Sequence, residues 1–203
     1  IGTDDGMATL QLTRAVSKLR FVICRVTESK STTKKFKSIN SIQLDKDQIP
    51  TQSYLMPRSV PYSYTSYEPT DISYLSTSLS KDYIPKVEDP MVYVYESQTA
   101  QEYEELINSL VNKEQLIELG RTYLRESDKQ LTGTINYTYD DNGTEKKEVA
   151  TFAMSASGDF LRNHSWTIYV YYMDTKIHIL TVTNIGMQDW TLGGTDDHSV
   201  YNW

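Results

Sequence analysis

In several segments between Thr134 and Val182 apolar and aromatic side chains return at every second position, the period of a pleated strand with one face inward. Ile135, Tyr137 and Tyr139 share one face of a first segment, and Trp166, Ile168, Val170 and Tyr172 share one face of another. Asp141-Asn142-Gly143 follows the first segment, and Asn-Gly supplies the two positive φ angles of a type I′ hairpin turn. Val149 to Phe152 is the returning strand. Asp174-Thr175 turns the chain again, after which Ile177, Ile179 and Thr181 alternate with His178, Leu180 and Val182. The pattern predicts a meander of at least four antiparallel strands.

The earlier part of the chain is less regular. Met7 to Val26 reads as one long strand or as two meeting near Arg14, with Leu19 to Val26 rich in β-branched and aromatic residues. Glu28 to Ser38 has loop composition. Ile39, Ile42 and Leu44 then mark a short strand closed by Pro50. Tyr54 to Pro90, rich in Ser, Thr, Tyr and Pro, meanders with two weak strands. Met91 to Tyr95 is a compact strand, and the composition shift before it divides the chain into domains 1–90 and 91–203. Between Ala100 and Arg125 the period changes. Tyr103, Leu106, Ile107, Leu110 and Val111 form one face of a helix. Thr99 and Glu102 fit a capping box. A further helical turn through Leu116, Ile117 and Leu119 would stop at Gly120. The expected fold is all-β, with a helical insert near 100–125 in the second domain.

The 203 residues suit one large domain or two small ones. An apolar fraction of 38% is normal for half-solvated antiparallel sheet. Twenty Lys and Arg against 27 Asp and Glu give a net charge of −7, which argues against nucleic acid as a partner. Sixteen tyrosines favour sheet and interface. Cys24 stands alone, so no intrachain disulfide forms, and its apolar run Phe21-Val22-Ile23-Cys24 predicts a buried thiol. No stretch approaches the roughly 18–20 apolar residues of a membrane span. The chain starts at Ile1 without a leader, so a processed or truncated product is expected.

Residues with catalytic promise are scarce. His164, His178 and His198 belong to no metalloprotease or hydrolase motif. His178 falls on a strand face. His198 follows Asp196 and Asp197, but a zinc site needs three or four convergent ligands. Asp140 to Gly143 resembles a calcium loop only faintly, and the hairpin explains it. Asn136, Asn142 and Asn163 each begin an Asn-x-Ser/Thr triplet of the kind common by chance. Glu104 and Glu105 read as solvated helix surface. No catalytic, metal or cofactor-binding residue is nominated, and no enzyme is expected.

Three segments resemble the fimbrillins of Bacteroidales, the subunits and anchors of type V pili. Leu12-Thr13-Arg14-Ala15-Val16-Ser17-Lys18-Leu19-Arg20-Phe21 is similar to a strand near their start. Val92-Tyr93-Val94-Tyr95-Glu96 resembles the strand that opens their second domain. Leu161-Arg162-Asn163-His164-Ser165-Trp166-Thr167-Ile168 resembles a strand of that domain, with Trp190 as the closing tryptophan. The resemblance implies two tandem transthyretin-like β-sandwich domains, export as a lipoprotein and a place in a cell-surface fimbria of the outer membrane. The lipid anchor would be the membrane link, and it is absent from this chain. The resemblance also implies that subunits join by strand exchange once an Arg-specific protease has removed an N-terminal strand. Arg14 and Arg20 are the candidate processing points, with ordinary strand-surface arginines as the other reading.

A donor strand must alternate and be free of its own sheet. Thr191 to Trp203 offers Gly193-Gly194 as a hinge and Val200, Tyr201 and Trp203 as large side chains; pairing with its own domain's edge is the alternative. Other pilus subunits are the expected partners. Stalk subunit, membrane-proximal anchor and tip adhesin stay open. The adhesin reading rests on the tyrosines between Tyr62 and Tyr83, since exposed rings stack on sugars, and glycans would then be partners too.

Overall fold

A computed structural model describes residues 15–26, 33–54, 63–88, 100–154, 160–173 and 176–185. Ten strands and one α-helix run in the order β1 (Val16–Val26), β2 (Lys34–Leu44), β3 (Ile72–Leu75), β4 (Leu79–Ser80), β5 (Lys86–Val87), α1 (Ala100–Asn112), β6 (Ile117–Arg125), β7 (Thr132–Asp141), β8 (Thr144–Ala153), β9 (His164–Met173) and β10 (Lys176–Ile185). They form two sheets. The first has the order β10-β9-β1-β5, with β6 also paired to β1; the second has the order β3-β2-β7-β8, with β4 also on β2.

The inward faces of both sheets make one core. Leu19, Phe21, Ile23, Trp166, Ile168, Val170 and Tyr172 of the first sheet meet Phe36, Ile39, Ile42, Leu44, Ile135, Tyr137, Tyr139 and Phe152 of the second. Burying each such aliphatic or aromatic side chain contributes roughly 1.5–3 kcal/mol. The strands β1 and β9 pair in parallel from Lys18↔Ser165 to Arg25↔Tyr172. Both are buried on both faces, which is why they read as near-continuous apolar runs. Their outer faces are covered by α1, whose Ile107 and Leu110 bury against Val22, Cys24, Val26, Tyr169 and Tyr171. Helix, sheet and sheet thus form three layers.

Sheet pairing crosses the expected division at residue 90. β1, β2 and β5 lie before it, yet they share sheets and a core with β6 to β10. The two sheets of the described residues pack as one sandwich. The expected four-strand meander is likewise split. β7–β8 and β9–β10 are antiparallel hairpins, but each belongs to a different sheet.

Two local expectations change as well. Residues from Lys34, expected as loop, extend β2 to eleven residues because β7 pairs with it as far as Lys34↔Asp141. The expected helical turn through Ile117 and Leu119 is a strand. Glu114 takes a φ of 57°, and Gln115 N–H donates to Leu110 O at 2.9 Å, which closes α1 with a left-handed cap. Gly120, at φ 111°, sits where β6 slips register between the partners of Arg20 and Val22, so it serves a bulge, not a helix stop. The predicted strands at Met7–Thr13 and Met91–Tyr95 lie outside the described residues.

Candidate functional site: the sheet edges and their anchors

A sandwich offers partners its edges, where backbone N–H and C=O groups lack a neighbour. Among the described residues, five of the six edge strands are blunted. β8 exposes Glu145, Lys146, Lys147 and Glu148 in succession, with Lys146 paired to Asp141 at 2.7 Å. β3 and β4 span four and two residues, and β5 spans two. β6 carries the Gly120 bulge and exposes Arg121 and Tyr123. β10 differs from all of these. Its ten residues pair with β9 without a register shift, from Lys176↔Met173 to Ile185↔His164. Among the described residues β9 is its one sheet partner, and Lys176 and His178 are its only ionisable side chains. Ile177 and Ile179 pack on the core, while His178 stacks on Tyr171 with centroids 5.0 Å apart and planes 9° apart. His178 is thus on a strand face, as its position in the alternation predicts.

The first and third resembling segments, 144 residues apart at their contact, lie side by side. Ser17 Oγ donates to Leu161 O, and Asn163 N–H donates to Val16 O at 3.0 Å. Asn163 itself adopts φ 61°, the left-handed region that Asn tolerates better than other non-glycine residues. His164 Nδ1 lies 2.8 Å from Arg162 O at the start of β9. Arg162 makes a forked pair with Glu126: Nε donates to Oε2 at 3.0 Å and Nη2 donates to Oε1. Nη2 also donates to Tyr54 O at 2.6 Å, and the Tyr64 hydroxyl donates to Glu126 Oε1 at 3.0 Å. Both charged partners are buried.

Lys18 and Arg20 are the second anchor. They point to the α1 side of β1, where Lys18 Nζ donates to Glu104 Oε1 at 2.8 Å. Arg20 donates from Nε to Thr167 Oγ1 at 2.9 Å and from Nη1 to Asn108 Oδ1 at 2.7 Å and Glu118 Oε2 at 3.2 Å. Arg20 is 0% exposed in the middle of a strand paired on both sides, so it is neither a surface arginine nor open to a protease in the folded chain. Glu104, expected as solvated surface, instead clamps Lys18 and accepts from Ser165 Oγ at 3.2 Å. The signal for this network was present in the sequence: two cations at alternate positions of an otherwise apolar strand need anions from the layer above. Arg14, Trp190, His198 and the segment with Val200, Tyr201 and Trp203 lie outside the described residues, as does Val92 to Glu96.

Among its described residues, the tyrosine-rich stretch does not present a row of rings. Tyr64 donates to Glu126, Tyr67 donates to Asp128 Oδ1 at 2.7 Å, and Tyr74 donates to Leu19 O at 3.3 Å and to Gly120 O at 2.5 Å. Burial pushes the Tyr74 phenol up to about 12. Tyr83 alone among the described tyrosines of that stretch is exposed, at 72%. Cys24 is buried as predicted; desolvation raises its thiol to about 11, against the opposing pull of the Tyr169 hydroxyl 3.1 Å away. At the hairpin tip Asn142 and Gly143 take φ 53° and 85°, and Gly143 N–H donates to Asp140 Oδ1 at 2.8 Å, the turn read from Asn-Gly. Among the described residues no three His, Cys, Asp or Glu side chains converge as metal ligands, and no helix is long and apolar enough to cross a membrane.

No protein-family model matches the chain, and no curated protein matches it by sequence. Among solved structures it is similar to a fimbrial protein from Bacteroides vulgatus ATCC 8482, at 10% identity and a TM-score of 0.45, over 84% of this chain and 54% of that one. It is also similar to two proteins provisionally named for cell adhesion. The one from Bacteroides eggerthii DSM 20697 shows 8% identity and a TM-score of 0.47 over 86% of this chain and 56% of its own. The one from Parabacteroides distasonis ATCC 8503 shows 14% identity and a TM-score of 0.43 over 86% and 53%. The chain spans about half the length of each of these proteins.

Proposed function

We propose that this chain is a non-enzymatic, fimbrillin-like structural component of a bacterial cell-surface fimbria, and that it joins other pilus subunits by β-strand exchange. On this reading the sandwich is the transthyretin-like module of that family. The observation that carries the proposal is the contrast between edges. Natural sheets guard exposed edges with charge, bulges or brevity; among the described residues β10 has no bulge over its ten residues, and its ionisable side chains, Lys176 and His178, are confined to its first three positions, with α1 packed nearby. An extended segment laid along it gains main-chain hydrogen bonds over its whole length, and alternate side chains fill the pleat. The resembling segments at β1 and β9 supply the rigid floor beneath that edge.

The donor in this scheme is the segment containing Val200, Tyr201 and Trp203 of another copy or of a related subunit. Of the two candidate processing points the proposal retains Arg14, which precedes β1; cutting after Arg20 would sever a core strand. A stalk subunit would lose the segment before Arg14, whereas a membrane-proximal anchor would keep it together with a lipid. Both roles place the protein at the outer surface of the cell.

Light scattering on size-separated protein, with and without limited trypsin, tests the scheme. The full chain is expected to form oligomers whose proportion rises with concentration, and a variant ending at Ser199 is expected to remain monomeric. A full chain that stays monomeric throughout, or a shortened chain that assembles equally well, overturns it.

A further inference from the structure

Tyr83 is exposed on a turn whose next residue, Ile84, is buried in the core. The Ser80 hydroxyl caps the turn by accepting from Asp82 N–H at 3.3 Å, and Ile84 N–H closes it on Lys81 O at 3.1 Å. Arg25 reaches under it, its Nε shared between Lys81 O at 3.2 Å and Ile84 O at 3.1 Å, and its backbone N–H donates to Pro85 O at 2.9 Å. The backbone that carries the Tyr83 ring is therefore held in place, which lowers the ordering cost of using the ring as a contact surface. The ring borders an open groove of about 610 Å³ between this turn and the α1–β6 junction, lined also by Asp82, Lys86 and Glu114. Asp82, Lys86 and Glu114 are exposed.

We infer that this groove is a binding site for neutral oligosaccharides, with Tyr83 as its stacking platform. The inference is independent of strand exchange, because the groove lies at the β5–β6 side of the first sheet and β10 is the strand at its opposite end. A pyranose has one apolar C–H face and a rim of hydroxyls. The phenol ring covers the face, carboxylates accept from pairs of neighbouring hydroxyls, and an ammonium donates to a hydroxyl or ring oxygen. The volume falls within the range of small-molecule sites, and its openness to solvent suits a chain of sugars entering and leaving. Charge does not favour an acidic sugar. Of the three carboxylates that line the groove, Glu118 is paired with Arg20 and Arg121, and Asp82 and Glu114 balance Lys86 and Arg25, whose Nε is already engaged by carbonyls. A sialylated or sulfated glycan would gain no net attraction there.

The test is an array of neutral, sialylated and sulfated oligosaccharides probed with the full chain, followed by calorimetric titration of the best neutral ligand. Tyr83→Ala is expected to weaken that binding about tenfold or more, and Glu114→Gln to weaken it less. Tyr123→Ala removes another exposed ring, 55% accessible and outside the groove, and is expected to change nothing. Each variant is first checked for an unchanged unfolding temperature, since both rings are exposed. Retention of no neutral glycan above the Tyr83→Ala background overturns the inference. Binding confined to sialylated or sulfated sugars, or an equal loss in Tyr123→Ala, overturns it too. None of these outcomes bears on oligomer formation, so the two proposals fail separately.

Discussion

Replacing Arg162 by Ala isolates the anchor that ties the start of β9 to the Glu126 segment. Side-chain exposure is 6% for Arg162 and 1% for Glu126, so solvent screening offers the pair little relief. The substitution removes two charge-assisted hydrogen bonds to the carboxylate and one to Tyr54 O. The Tyr64 hydroxyl remains as the partner of a buried anion. Breaking a buried pair on one side costs about 3–5 kcal/mol, mostly because an uncompensated charge is left behind. With a urea m-value of about 2 kcal/mol/M, the unfolding midpoint should fall by about 1.5–2.5 M. Tryptophan fluorescence follows the transition, since Trp166 is buried two strand positions from His164. Removing both charges in Arg162→Leu/Glu126→Leu should restore most of the loss, because an apolar pair leaves no orphaned ion. A single-variant cost below about 1 kcal/mol would refute the reasoning, because it would mean that water reaches the pair. So would a double variant as unstable as the sum of the two singles.

Gly133→Ala should lower the melting temperature by several degrees. An added Cβ would lie 2.3 Å from the Gln43 carbonyl oxygen and 2.4 Å from Phe152 Cζ, and backbone cannot step aside as a flexible side chain can. An unchanged scanning-calorimetry midpoint would show that β2 and β7 are not packed this closely. Stability should also fall steeply at alkaline pH. The folded state raises Cys24 from 9.0 to about 11 and Tyr74 from 10.0 to about 12, in both cases first through desolvation. The unfolded chain therefore loses these protons first. The stabilisation is complete below about pH 9 and is lost as pH rises through about 11 to 12. Urea midpoints measured from pH 8 to 11.5 check this, with Cys24→Ala flattening the lower part of the slope; a flat profile in the unaltered chain contradicts it.

How much of this fold could be read from the residues depended on the range of the contact that decides each element. Asn142-Gly143 forms its turn because the φ angles are local, and α1 follows from a stripe that Ile107 and Leu110 do bury. β6 was misread because Leu116, Ile117 and Leu119 satisfy a helical stripe as well as they satisfy an edge strand. What decides is the left-handed Glu114 and the long antiparallel register with β1. The parallel pairing of Lys18 with Ser165 joins residues 147 positions apart, and no local pattern announces it. Composition changes near residue 90 while sheet pairing crosses it, and that pairing is likewise not a local pattern. The continuous apolar runs at Leu19–Val26 and Trp166–Tyr172 did carry a usable clue. A strand without a polar face needs cover on both sides, which one two-layer sandwich per half of the chain would not give. The site was legible only as a class of surface. Which edge is least guarded among the described residues depends on the charges of β8, the bulge of β6 and the brevity of β3, β4 and β5 taken together.

Hydrogen exchange on a chain ending at Ser199, with and without a peptide of residues 195–203, tests the open edge most directly. The account predicts slow exchange throughout β1 and β9, faster exchange on alternate amides of β10, and protection of β10 but not β8 when the peptide is added. If β10 is already as slow as β9 in the shortened chain, or if the peptide protects β8 instead, the open edge is not where subunits meet.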